Sequence, residues 1–305
     1  MIRIGSRGSQ LALWQANHIA DALRAAGHEV SIEIIRTTGD RMQDVSFAKV
    51  GSKGMFTKEI EEALLEGRID LAVHSLKDLP TELAPPFSIA ATPPRVDPRD
   101  AFVSVDFHSF LALPSGAHVG TSSLRRQAQL RALRADLEYV EFRGNVDTRL
   151  RKLAEGQVQA VVLASAGLER LGKTEWLRER FAPEISCPAA GQGALAIECR
   201  AGDATTHQAV AFLDDPDTRF AVTAERVALG ALGGGCQVPI GIHCTRDGAG
   251  FRIIGAVAAT DGSRVIRADT RGEADENPSD LGQALAGELL HRGAQQILAP
   301  AEIGK

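Results

Sequence analysis

The chain has 305 residues, 44% of them hydrophobic and 24% charged, enough for two or three domains with their own cores. A net charge of -5 excludes a general nucleic-acid binder, and no apolar run reaches membrane-spanning length. The four cysteines (Cys187, Cys199, Cys236, Cys244) form no CxxC pair and have no histidine at zinc-like spacing, so neither a disulfide framework nor a metal site is expected.

The chain opens on Ile2-Arg3-Ile4 with no signal-peptide pattern, which predicts a cytoplasmic protein. Ile2–Ile4 reads as a short strand, and Ser9 is placed to cap a helix from Gln10 to Ala25 with Ala12, Ala16, Ile19, Ala20 and Leu23 on one face. Val30, Ile32 and Ile34 alternate as the next strand. Thr57 is expected to cap a helix that carries Glu59, Glu61 and Glu62 at its positive end and closes at Gly67. Leu71-Ala72-Val73 follows as a short buried strand. The rhythm then repeats: strands at Ala117–Gly120, Glu138–Phe142 and Ala160–Leu163, helices at Leu124–Arg134 and Asp147–Glu155. Such alternation predicts two doubly wound, mostly parallel α/β lobes, with Thr92-Pro93-Pro94-Arg95-Val96-Asp97-Pro98 as the crossing between them.

After Asp214 the pattern changes. A helix over Thr218–Leu232 runs into Gly233-Gly234-Gly235, followed by strands at Ile240–Cys244, Phe251–Val257 and Arg264–Ala268 in an antiparallel meander. Pro278-Ser279 opens a helix bearing Leu281, Leu285 and Leu289. This is a smaller α+β domain, and Cys236 sits at its helix-to-strand turn. Two readings of that cysteine stand side by side. One is a helix terminator followed by a buried thiol, the other a thiol on a segment of bare glycines to which something large is attached.

In open α/β sheets ligands bind beyond the carboxyl ends of the strands. Those loops here carry Ser6, Arg7 and Ser9; His74 through Pro80; Thr121, Ser122, Ser123, Arg125 and Arg126; and Arg143, Gly144, Asn145 and Arg149. Seven of the 34 basic residues are lysine, leaving 27 arginines. Arg125 and Arg126 fall in the first turn of a helix, where cations are disfavoured by roughly 0.3–1 kcal/mol each unless an anion is bound. Guanidinium forks with nearby hydroxyls favour carboxylate or phosphate, and no Walker glycine-lysine signature is present. Asp78, a carboxylate among arginines, is a poor anion ligand and suits a place where a cation develops or a proton moves. His74, Ser75 and Asp78 are the residue types of a hydrolase triad, but no nucleophile elbow accompanies them.

Several segments together resemble the porphobilinogen deaminase (hydroxymethylbilane synthase) family: Ile4–Ala12, Lys53–Glu59, His74–Pro80, Asp97–Phe102, Gly120–Gln127, Arg143–Val146, Pro188–Gly193 and Leu232–Gly241. The resemblance implies lobes like those of type II periplasmic binding proteins at 1–93 with 194–212 and at 99–188, then a C-terminal α+β domain at 216–305. It implies a transferase of porphyrin biosynthesis that condenses four porphobilinogen molecules head to tail, releases ammonia and frees linear hydroxymethylbilane. Cys236 matches the cysteine that carries a dipyrromethane cofactor through a thioether. Asp78 matches the catalytic carboxylate. The cofactor is expected on Lys77, Asp78, Thr121, Ser122, Ser123, Arg125, Arg126, Arg143 and Gly144. The substrate carboxylates are expected on Arg7, Ser9, Arg125, Arg126, Arg143, Arg149, Arg170 and Gln192. Lys49, Lys53 and Phe56 match a loop that closes over the cleft. The implied partners are porphobilinogen and the growing polypyrrole chain, with no nucleic acid, membrane or second subunit, so a monomer is expected. Composition and periodicity alone also permit a non-enzymatic two-lobed anion-binding protein, which gives Cys236 no task, or a transferase or hydrolase with Cys236 as a transient nucleophile.

Overall fold

The computed structural model describes residues 1–38, 57–234 and 238–299; Lys49, Lys53, Phe56 and Cys236 lie outside them. Strand β1 (Ile2–Ser6) leads to helix α1 (Gln10–Ala25), strand β2 (Val30–Ile34), helix α2 (Lys58–Leu65), and strands β3 (Leu71–Ser75) and β4 (Phe87–Ala91). Residues 92–99 cross to β5 (Asp100–Val103), followed by β6 (His118–Gly120), α3 (Leu124–Leu133), β7 (Glu138–Val140), α4 (Val146–Ala154), β8 (Ala160–Ala164), α5 (Ser165–Arg170) and β9 (Leu177–Arg180). The chain returns through β10 (Leu195–Arg200) and α6 (Ala204–Val210). It then builds a last unit from α7 (Pro216–Ala231), β11 (Ile240–Asp247), β12 (Gly250–Ala258), β13 (Val265–Gly272), α8 (Pro278–His291) and α9 (Ala294–Leu298).

The first lobe has strand order β2-β1-β3-β10-β4 and the second β7-β6-β8-β5-β9. The expectation of mostly parallel sheets is corrected: both are mixed. β1 pairs parallel with β2 and β3, whereas β10 runs antiparallel to β3 and β4. In the second lobe β6 pairs parallel with β7 and β8, and β5 runs antiparallel to β8 and β9. The antiparallel members are the strands that enter each lobe directly from the other, so they arrive without the intervening helix that a parallel crossover requires. Strand for strand, the two lobes have the same order.

Helix α1 forms where the sequence places it. Ser9 is extended, its hydroxyl accepts from the Ala12 N–H at 3.3 Å, and Ala16, Ile19, Ala20 and Leu23 are buried. They pack on Ile4, Leu71 and Ile197 of the sheet. Thr57 departs from expectation: it precedes α2 but makes no side-chain cap bond, being already helical in backbone. In the second lobe Phe102, Phe110 and Phe181 meet edge to face, each ring worth about 1.5–3 kcal/mol of burial.

The third unit is the expected meander, order β11-β12-β13, covered by α7 and α8. Phe220 stacks on Phe251 with ring centroids 3.9 Å apart. Helix α7 is capped by Asp215, whose carboxylate accepts from the Thr218 N–H, and it stops as predicted: Gly233 has φ +67° and Gly234 donates to the Leu229 carbonyl. Glu225 of α7 is sealed from solvent and ties this unit to the lobes. It accepts from Arg95 Nη1 at 2.6 Å and Nη2 at 3.2 Å, from the Gly191 N–H at 2.6 Å and from the Cys244 N–H at 2.7 Å.

Candidate active site

Buried β3 delivers the turn Leu76-Lys77-Asp78 to the meeting point of the lobes. Leu76 and Leu79 are buried and pin the turn, leaving the two charged residues between them nearer the surface. The returning segment presses close: a Cβ on Gly191 (φ +73°) would lie 2.1 Å from Leu76 Cδ2 and 3.2 Å from the Lys77 N–H nitrogen, so glycine is required there. Asp78 is exposed, and among the described residues nothing donates a hydrogen bond to its carboxylate. It shares a cavity of about 70 Å³ with Arg7, Ser9, Gln15, His74 and Ser75. The triad arrangement is absent. His74 Nε2 is 2.9 Å from Glu198 Oε2, and the Ser75 hydroxyl accepts from Gln15.

Across the lobe boundary, the first turn of α3 presents Arg125 and Arg126, both buried. Arg125 Nη1 donates to Asp100 Oδ2 at 2.7 Å and to the Cys187 carbonyl at 2.6 Å, and Nη2 donates to Asp100 Oδ1. Arg126 Nε donates to Asp100 Oδ1 at 2.9 Å, Nη1 to the Val162 carbonyl, and Nη2 to Gln192 Oε1 at 3.4 Å. The two arginines drive the Asp100 carboxyl far below the usual carboxylate range, against the opposing effect of its burial. Gln192 joins the lobes: its Nε2 donates to Asp100 and to the Pro98 carbonyl, while Oε1 accepts from Lys77 Nζ at 3.3 Å. Burial lowers the Lys77 ammonium to about 8. Asp78 and Asp100 oppose that shift, and Arg126 and Arg125 add to it.

The remaining arginines divide. Arg143 is paired with Glu141 two residues before it. Its neighbour Gly144 has φ +119°, and a Cβ there would lie 2.7 Å from Thr148 Cγ2, so glycine is required at this half-buried point. Arg149 has a buried Nε with no hydrogen-bond partner among the described residues. Burial, then the like charges of Arg126 and Arg143, bring its guanidinium down to about 10. Arg170 also has a buried Nε without a partner among the described residues; its Nη2 donates to the Gly193 carbonyl at 2.7 Å and it lies over the Trp14 ring. Unpaired buried guanidinium nitrogens are costly and mark places where an acceptor belongs.

Each hydroxyl in the β6–α3 loop spends an acceptor lone pair on the backbone. Thr121 accepts from the Ser123 N–H, Ser122 from the Phe142 N–H and Ser123 from the Arg126 N–H. Ser9 does the same as the cap of α1. Among the described residues none of the four hydroxyls donates to the protein; Thr121 is buried, which leaves the O–H hydrogens of the half-buried Ser9, Ser122 and Ser123 for an incoming acceptor. A second cavity, about 460 Å³, lies between residues 95–99 and the C-terminal unit. Its charges are matched, Arg95 with Glu225, Arg99 with Asp97 and Arg246 with Asp217, so it lacks the cationic surplus of the first site.

Sequence reasoning missed Asp100 and Glu225, the two buried carboxylates on which the arginines and the domain junction hang. A signal for Asp100 was present: a charge opening an otherwise apolar strand (Asp100-Ala101-Phe102-Val103) has to find partners.

Fold and site together define a two-lobed α/β protein with a third, cysteine-bearing domain and a junction where cationic groups outnumber carboxylates. Residues 2–208 match the family model described as porphobilinogen deaminase, dipyromethane cofactor binding domain, and residues 219–291 match the porphobilinogen deaminase C-terminal domain. The chain belongs to the porphobilinogen deaminase family. It is 52% identical to the porphobilinogen deaminase of Pelobacter propionicus over 97% of this chain and 96% of that one. It is 51% identical to that of Roseiflexus castenholzii (98% of each) and 49% identical to that of Geobacter sulfurreducens (98% of this chain, 94% of that one).

Proposed function

We propose that this chain condenses porphobilinogen head to tail, with loss of ammonia, into linear hydroxymethylbilane, and that it does so on a dipyrromethane cofactor held by a thioether to Cys236. The observation that carries the reading is the surplus of cation at the lobe junction. Arg125 and Arg126 share the single carboxylate of Asp100, with Lys77 hydrogen-bonded into the same network, while Arg149 keeps a buried Nε without an acceptor among the described residues. Each porphobilinogen unit brings an acetate and a propionate, which are the acceptors such a site lacks.

The residues present fit the cofactor as well as the substrate. Lys77 and Arg149 would meet its carboxylates, with hydroxyl hydrogens from Ser122 and Ser123. Bound there, the cofactor supplies a fixed pyrrole terminus to which units are joined. In sequence Cys236 falls between α7 and β11, so its anchor belongs to the domain that Glu225 docks on the crossing and return segments of the lobes. Asp78 serves a different purpose from the arginines. An exposed carboxylate without a donor among the described residues is placed to stabilise positive charge on the pyrrole as ammonia leaves, and to carry the proton that must come off the attacking ring carbon. Arg125 and Arg126 have their donors engaged inside the protein, so their part is to hold Asp100 and α3 and to set the charge of the junction. Arg170, on the Gly193 carbonyl and over Trp14, holds the return segment and offers its remaining Nε to the ligand.

The lobes are further proposed to be those of type II periplasmic binding proteins, a reading supported by the identical strand order in both. Both lobes and the anchor come from one chain, in keeping with a monomer. The test is to supply purified chain with porphobilinogen and follow ammonia and hydroxymethylbilane. Asp78→Asn should keep the wild-type fold and lose turnover by roughly 10²–10⁴-fold, the range for a general acid–base group. Near-normal turnover removes Asp78 from the chemistry, and no product from the wild type removes the reaction.

A further inference from the structure

Asp100 opens β5 and has no solvent exposure. Its two oxygens accept from Arg125, from Arg126 (Nη2 2.8 Å from Oδ1), from the Ser186 hydroxyl at 2.8 Å and from Gln192 Nε2 at 2.9 Å. The other acceptors of the two arginines are neutral: the carbonyls of Cys187 and Val162 and the amide oxygen of Gln192. One negative charge therefore balances two positive ones. The arrangement is also directional. Arg125 is engaged on the Cys187 side, while Arg126 lies toward Gln192 and Lys77, so the surplus charge falls on the side of Lys77 and Arg149.

We propose that Asp100 is a positioning residue that sets how strongly the lobe junction holds carboxylates: it clamps both guanidinium groups and limits their surplus to one charge. This rests on the proposed carboxylate-binding role of the site. A chain that lengthens one ring at a time has to be gripped and then shifted. A surplus of two charges would grip more tightly and release more slowly, whereas a surplus of none would not grip.

The test uses the full chain in the form that intact mass shows to carry no pyrrole, with propionate ion as probe and chloride-matched controls, reading the melting temperature against propionate concentration. Asp100→Asn should melt below wild type without propionate and bind propionate about tenfold more tightly, the scale of one unit charge in a partly desolvated site. The charge-balanced double variant Asp100→Asn/Arg125→Gln should return propionate affinity toward the wild-type value. With porphobilinogen, Asp100→Asn should lower KM and kcat together and leave longer-lived enzyme-bound chains, which a merely structural residue would not do. If Asp100→Asn alone does not fold, folding should reappear in the double variant or on refolding with propionate. A propionate response equal to wild type, whatever the melting temperature, overturns the proposal, as does failure of both rescues. A wild type that gives no response to propionate overturns this proposal together with the carboxylate reading. An ordinary wild-type response with an unchanged variant overturns the role of Asp100 alone.

Discussion

Glu225→Ala removes the carboxylate on which the C-terminal unit is docked, and its cost follows from the partners left behind. Arg95, whose side chain is 10% exposed, would lose its only carboxylate among the described residues while keeping its bonds to the Gln192 and Cys244 carbonyls. Breaking a buried ion pair from one side typically costs about 3–5 kcal/mol. The N–H groups of Gly191 and Cys244 would also lose their acceptors, at about 1–3 kcal/mol each if water cannot reach them. The contributions share one carboxylate and do not add in full, so a loss of about 4–6 kcal/mol is expected. Glu225→Gln keeps an acceptor oxygen and should lose roughly half of that. Asp217→Ala breaks only the exposed pair with Arg246 and should unfold like wild type. Urea unfolding followed by far-UV circular dichroism, comparing the first transition, separates the three. A Glu225→Ala protein that unfolds with the Asp217→Ala control would refute the argument that this carboxylate holds the domain junction.

Lys77 gives the site a pH dependence with a definite sign. The protonated ammonium is the form that attracts carboxylates, and its pKa of about 8 means that it is lost in mildly alkaline solution. Substrate affinity should therefore be level between about pH 6 and 7, where the substrate carboxylates are ionised, and fall as pH rises through about 8, and Lys77→Arg should remove that inflection; an affinity flat to pH 9 in wild type contradicts it. Arg149→Met should raise KM by at least about tenfold through loss of one charge-assisted contact, while Arg151→Met, two residues on but exposed and paired with Glu155, should change it little. Equal effects of the two would mean that the unpartnered Arg149 Nε has no ligand to meet.

The sequence was most readable where local rules act alone. Ser9 as a cap, Gly233 as a helix stop and the meander after Pro239 each follow from a few adjacent residues, and each stands in the structure. It was least readable at β5 and β10. Leu195-Ala196-Ile197-Glu198-Cys199-Arg200 has no period-two alternation because both faces of the strand are covered, and Glu198 breaks the apolar run. Its charge meets His74 from 124 residues away, a relation no local pattern carries. The arginines show the same limit. Arg125 and Arg126 were expected at the mouth of an anion site, and their loop is where the sequence puts it, but both side chains are buried on Asp100. Residue type and spacing point to the loop; which way a guanidinium turns depends on a carboxylate that only the fold brings near.

The central claim is that a polycarboxylate chain grows in this junction from an anchor on the third domain. Intact-protein mass spectrometry on freshly purified, active chain tests it most directly. The account predicts a stable mass excess of two linked pyrrole units, localised by peptide mapping to Cys236. An unmodified Cys236 thiol in protein that still makes hydroxymethylbilane would contradict it.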